Sequence, residues 1–317
     1  MIIPSLRRPT AVLTAALLGV SLVLSAAIGA SAQETRTINA DNGTIEAPAN
    51  PQRIATLGRA NGSFLALGGK PIAVTKLRQG DFDALLEDQQ AAYEAATLLG
   101  TSASEADLEK LASLKPDLIF ISVPNADFEQ MKEKLEAIAP TILLGFHSDW
   151  KRRVEVVAEA SNKVDVLNKQ KADYDQQVAA IKTKYAETIK NDTFVEVGSG
   201  EFSKVAVFHL NGSTCTEVVR ADVGLDIADL GEGGQSRSYE QIGALADYDV
   251  ILYPVDHKGN VTEAFRPMTE SSAWQALPAV KSGRTVGIYC PLDRSYPGNS
   301  RYMESLDRGL AALPKDE

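Results

Sequence analysis

Histidine and cysteine are scarce: this chain of 317 residues has three of the first and two of the second. A bare zinc or manganese site wants three or more close nitrogen, oxygen or sulfur ligands, and no such cluster shows in the spacing. Also missing are a nucleophile elbow, a GxxxxGK[ST] phosphate loop and a metal-protease helix. The usual signatures of hydrolytic, phosphoryl-transfer and zinc chemistry are therefore absent. Positive charge is in deficit, with 32 Lys and Arg against 42 Asp and Glu and a net charge of −10. That balance argues against nucleic acid and anionic membranes as main partners. Beyond residue 32 no apolar run is long enough to span a bilayer.

Residues 1–32 read as a cleaved export signal. Arg7 and Arg8 form a positive start, Ala11 to Ile28 is apolar, and Ala30-Ser31-Ala32 is a small-residue cleavage pattern. The alternative is an uncleaved anchor. No Cys follows the apolar run, which excludes a lipid anchor on an N-terminal Cys. About 285 residues then remain, enough for roughly two domains. They lose the two arginines and are two charges more negative than the whole chain. An exported protein meets an oxidising compartment, periplasmic or extracellular, so Cys215 and Cys290 are a candidate disulfide; two buried thiols are the other reading.

One further absence organises the chain. Phe146 to Val197 contains neither Gly nor Pro. Within it Leu167, Tyr174, Val178, Ile181, Tyr185 and Ile189 recur at steps of three, four or seven, one apolar stripe on a helix. The spacing predicts a continuous helix from about Val164 to Lys190, roughly 40 Å long at 1.5 Å per residue. It reads as a rigid strut, since the repeat is too short and too interrupted for a coiled coil. On either side strands alternate with helices, which implies parallel sheets covered on both faces. Before the strut, strands are expected at 53–58, 71–75, 117–122 and 141–144. Ser104 is expected to cap the helix that runs to about Leu114. After it, strands are expected at 204–210, 249–253 and 285–289, with a closing helix from Asn299 to Leu313. The expected organisation is an N-terminal α/β lobe over 33–160, the long helix over 161–191 and a C-terminal α/β lobe over 192–317. One echo supports two related halves: Leu108-Glu109 leads to Asp117-Leu118-Ile119 as Tyr239-Glu240 leads to Asp249-Val250-Ile251.

Four motifs carry a resemblance. They are Asn50-Pro51-Gln52-Arg53-Ile54 leading to Leu65-Ala66-Leu67-Gly68; Leu108 to Ile119; Ile138-Ala139-Pro140-Thr141; and Trp274 to Arg284. In this order around a central long helix, the chain resembles the substrate-binding proteins of bacterial ABC importers for ferric siderophores, haem and cobalamin. The resemblance implies two lobes with a ligand cleft between them and a small closing motion, because one stiff helix joins the lobes. It implies no catalysis, a monomer, no cofactor beyond the carried ligand, and an ABC permease as partner. Glu109 and Glu240 fall where the family presents carboxylates to permease arginines.

In open α/β sheets ligands bind beyond the carboxyl ends of the strands. Arg59, Arg78, Arg237 and Arg294 fall there, and a guanidinium suits a carboxylate or catecholate chelate. Trp150, Tyr289 and Tyr296 are candidate walls. His147 and His257 follow strands in opposite lobes and would hold haem iron or bond to a chelate, whereas His209 reads as a packed strand residue. The expected ligand is a ferric siderophore, with haem and then cobalamin as alternatives and a siderophore hydrolase as the remote one.

Overall fold

The polar N-terminal stretch folds as a hairpin. Strands β1 (Thr35–Ala40) and β2 (Gly43–Pro48) pair antiparallel with Ile38 opposite Ile45. The computed structural model describes Met1 and residues 34–145, 149–199, 207–211, 213–230, 234–291 and 295–314. The expected export signal lies, apart from Met1, outside the described residues. Glu34–Glu317 is one compact unit.

The hairpin turn covers a sheet edge. Asn42 Nδ2 donates to the Thr141 carbonyl at 2.9 Å, and its Oδ1 accepts from Leu143 N at 3.0 Å. Polar groups on an open edge strand are thereby satisfied within the molecule. That strand belongs to a five-stranded sheet built from β3 (Ile54–Gly58), β4 (Ala73–Val74), β5 (Thr97–Leu98), β6 (Leu118–Ser122) and β7 (Thr141–Leu143). All its pairings are parallel, in the order β5-β4-β3-β6-β7. The chain builds outward from β3 in one direction and then, with β6, in the other. Strand order therefore reverses between β3 and β6, where Gly58 pairs with Ser122.

Helices α1 (Ala60–Ala66), α2 (Gln79–Asp83), α3 (Glu87–Glu94), α4 (Leu108–Ser113) and α5 (Asn125–Glu136) connect these strands. The cap of α4 is Asp107, which accepts from Lys110 N at 2.9 Å, not Ser104. Asp107 N bonds the Leu99 carbonyl at 2.8 Å, which ties the loop to the end of β5 and delays the helix by three residues.

Next come α6 (Trp150–Ala160), which the periodicity did not single out, and α7 (Val164–Lys184). Helix α7 buries Leu167, Tyr174, Val178 and Ile181, the expected stripe. It is 21 residues long, about 31 Å, and stops at Tyr185 before resuming as α8 (Ala186–Asn191). The cause of the break is tertiary. The Tyr185 hydroxyl bonds both the carbonyl and the carboxylate of Asp307 at 2.8 Å, and Lys184 pairs with the same carboxylate at 2.8 Å.

The second sheet comprises β8 (Thr193–Ser199), β9 (Val207–Leu210), β10 (Asp226–Ile227), β11 (Gln235–Ser238), β12 (Val250–Pro254) and β13 (Thr285–Ile288). Strands β8, β10, β12 and β13 pair in parallel; β12 and β13 were expected, whereas β8 and β10 were not. Strand β9 runs opposite to both β8 and β11. Only residues 200–206 join β8 to β9, too few for the dozen or more residues of a parallel crossover. The remaining helices are α9 (Thr214–Val218), which continues through a π turn at Val219–Val223, then α10 (Arg266–Thr269), α11 (Ser272–Ala276), α12 (Pro278–Lys281) and α13 (Tyr296–Ala311), with a 3-10 run at Tyr239–Asp247. Cys215 and Cys290 are bonded, with 5.8 Å between their Cα atoms.

Three apolar clusters hold this arrangement. One sits on a single face of the first sheet and includes Ala55, Ile119 and Phe128; another, with Val195, Ile251 and Trp274, sits on a single face of the second. The third runs from Phe120 and Ile142 through Val157 and Tyr174 to Phe194 and Tyr302, so both sheets share it. Helix α7 touches both ends: Gln170 donates to the Ala66 carbonyl at 2.7 Å and Gln177 to the Ser300 carbonyl at 3.0 Å.

Candidate functional site

Four parallel strands end side by side at the reversal of strand order. The residues just beyond them enclose a cavity of about 410 Å³. Gly58 and Arg59 follow β3, and Thr75 to Arg78 follow β4. Thr101 to Ser104 follow β5, while Ser122 to Pro124 close β6. Three side chains of the lining are basic, Arg59, Lys76 and Arg78, and two are acidic, Asp81 and Asp127.

A polar frame holds these loops. Buried Asn61 accepts from Thr56 Oγ1 at 2.7 Å and donates to the Thr75 carbonyl at 2.8 Å. Thr75 Oγ1 accepts from Gly58 N at 2.8 Å. The Tyr93 hydroxyl accepts from Leu77 N at 2.8 Å, which fixes the Lys76–Arg78 segment. Arg78 pairs with Asp81 at 3.0 Å. Gly58 has φ +64°, and a Cβ there would lie 2.4 Å from the Ser122 carbonyl oxygen, so only glycine fits this close approach. Ser122 is 3% exposed, and its hydroxyl has no hydrogen-bond partner among the described residues.

A second crevice, of about 290 Å³, adjoins the first through Asp81. Its walls come from segments before and after α7: Ala84, Leu86 and Gln89 from the first, Tyr289, Arg301 and Glu304 from the second. The Arg301 guanidinium lies over the Tyr289 ring at 5.2 Å and donates to the Ala84 carbonyl across the gap. His257 stands beside Tyr289, with ring centroids 6.5 Å apart.

The sequence-predicted residues separate accordingly. Arg59 and Arg78 meet in the basic cavity, and Tyr289 walls the crevice with His257 behind it. His147 and Arg294 lie outside the described residues. Arg237 is on β11, where it bonds the Gln235 side chain and, at 3.2 Å, the Ser236 carbonyl. Tyr296 is 1% exposed. It packs edge-on with Trp150 at 4.8 Å and Tyr174 at 5.6 Å, so these rings join α6, α7 and α13. In the same place Asp222 accepts from Tyr174 and from Lys151, each at 2.7 Å. Burial, and then the bond to Asp222, push the Tyr174 hydroxyl pKa well up. His209 is half-buried, not core, and its Nδ1 lies 2.9 Å from Ser236 Oγ. Glu109 and Glu240 are exposed in the first turns of α4 and of the Tyr239–Asp247 run.

Sequence reasoning did not single out Lys76, Ser122 or Arg301. The first two sit in segments that the strand-end rule selects, and that rule was their signal. Arg301 lies within a helix and gave none. Among the described residues no group of acids, histidines and cysteines is placed to hold a metal ion, and no helix is long and apolar enough to cross a membrane.

Known proteins share this architecture. A probable siderophore-binding lipoprotein of Bacillus subtilis, YfiY, is 29% identical over 266 residues, covering 80% of each chain. The iron(3+)-hydroxamate-binding protein YxeB of the same organism is 26% identical, over 79% of this chain and 77% of that one. The solved siderophore periplasmic binding protein from the fuscachelin gene cluster of Thermobifida fusca superposes with a TM-score of 0.71 at 23% identity, over 84% of this chain and 98% of that one. Staphylococcus aureus SirA, solved with staphyloferrin B, gives 0.67 at 20% identity, over 87% and 99%. These likenesses fix the fold. A sequence model of one family, described as periplasmic binding protein, matches residues 65–289, well over half of the chain, and the protein therefore belongs to the periplasmic binding protein family.

Proposed function

We propose that this protein captures a ferric siderophore outside the cytoplasm and delivers it to the permease of an ABC importer. One observation carries the reading: an acidic chain gathers Arg59, Lys76 and Arg78 around a cavity where strand order reverses. Clustered positive charge raises the local concentration of an anionic chelate, and guanidinium forks bond its oxygens. The named ligands of YfiY and YxeB agree with an iron chelate. The role is binding without turnover, by a monomer and with no resident cofactor. The lobes would be 33–160 and 192–317, joined through 161–191, with the signal of 1–32 removed on export.

Glu109 and Glu240 would dock on permease arginines, one from each lobe. Two exposed carboxylates far apart in sequence give two-point register. Replacing both by Ala is expected to abolish uptake in cells and leave ligand affinity unchanged; unaltered uptake removes this assignment.

Titration followed by tryptophan fluorescence, with ferric citrate, a ferric catecholate, a ferric hydroxamate and haem, tests the reading. Saturable binding of a ferric chelate, which is recovered intact, is the expected result. Saturation by haem alone, with a Soret shift lost in His257→Ala, replaces the siderophore with haem. Hydrolysis of the chelate makes the protein an enzyme.

A further inference from the structure

We propose that Arg301 is a specificity-determining residue of the cleft: from α13 it grips an anionic arm of the chelate, facing the Arg59, Lys76 and Arg78 wall. The proposal rests on the reading of the protein as a ferric-chelate binder. Three observations lead to it. First, among the described residues that line the 290 Å³ crevice Arg301 is the one basic side chain, beside Asp81 and Glu304. It is the cation that an entering anion meets among these residues. Second, the guanidinium is held in place. Its central carbon lies 5.2 Å from the Tyr289 ring centroid, and one N–H group is engaged by the Ala84 carbonyl. A guanidinium carries five donors in a fixed fork, so a single carbonyl occupies only part of it. A side chain ordered in advance loses less entropy on binding. Third, Asp81 walls both the crevice and the basic cavity, and it pairs with Arg78 at 3.0 Å. The two spaces share the Asp81 wall, and the proposed chelate, seated beyond β3 and β6, would extend past it toward Arg301.

The role predicts discrimination by charge. Binding of ferric citrate and of a charge-neutral ferric trihydroxamate is measured on the purified protein and on Arg301→Gln and Arg301→Lys, with Arg308→Gln on the exposed side of the same helix as control. Arg301→Gln is expected to weaken the anionic chelate about tenfold or more and to leave the neutral chelate within about twofold. Arg301→Lys, which keeps the charge and loses the fork, is expected to fall between. Unchanged affinity for ferric citrate in Arg301→Gln overturns the proposal. Equal losses for both chelates also overturn it, because Arg301 would then only hold the halves in place. Wild-type binding of the neutral chelate alone overturns it as well. If Arg301→Gln does not fold, Arg301→Lys decides: an unchanged ratio between the two chelates refutes the grip. Failure of the wild type to bind any ferric chelate refutes instead the function on which the proposal rests.

Discussion

Gly58 is where one missing side chain shapes the site. Its positive φ and its contact with the Ser122 carbonyl let β3 and β6 end side by side. Gly58→Ala is expected to cost about 2 kcal/mol or more, read as a lower denaturation midpoint; an unchanged midpoint contradicts the close approach. Glu196 is a buried acid outside both cavity linings. It lies on β8, 4% exposed, and accepts from the Thr216 hydroxyl. Burial raises its carboxyl pKa from 4.5 to about 7, with a Ser213 hydrogen bond opposing. A folded-state pKa above the unfolded one means that the native protein holds a proton that the unfolded chain has released. This group's contribution is therefore complete below pH 4.5 and declines as pH rises through about 7, by about 3 kcal/mol. Between pH 5 and 8, stability of the wild type is expected to fall relative to Glu196→Gln. Parallel stability curves would contradict a buried, titrating carboxyl.

At the scale of elements, α7 ties the structure together, since it touches α1 through Gln170 and α13 through Gln177. Ala179 is exposed in its middle. Ala179→Pro is expected to cost about 3 kcal/mol and to enlarge the radius of gyration in solution scattering, whereas Ala179→Gly costs about 1 kcal/mol with no change in dimensions. Equal effects would mean that a continuous helix does not set the spacing. The helix was legible because Leu167, Tyr174, Val178 and Ile181 repeat along one face. Its end was not, because the break at Tyr185 is made by Asp307, 122 positions away. The reversed direction of β9 was readable in principle from its short connection to β8. Arg59 and Arg78 were found by one rule about strand ends. The same rule also selected Trp150, which is half-buried, and Tyr296, which is buried at the start of α13; both pack against Tyr174 of α7. Chain order carries the local elements and the ends of strands; which of those ends is then covered is decided by packing between distant segments.

At the scale of the molecule, two sheets share one apolar cluster and are held by α7 and by Asp222 between Lys151 and Tyr174. On the proposed function such a frame would limit hinge motion, and the ligand would be held by groups already in position. The basic cavity is at the reversal of the first sheet, and the Arg301 crevice opens beside it toward the second. On the proposed function iron is held at that junction. Anomalous scattering from a crystal of the protein grown with a bound ferric chelate would locate it. One iron peak is expected beyond Gly58 and Ser122, within reach of chelate oxygens bonded to Arg59 and Arg78. An iron peak elsewhere on the surface, with those arginines bonded only to protein, would contradict it.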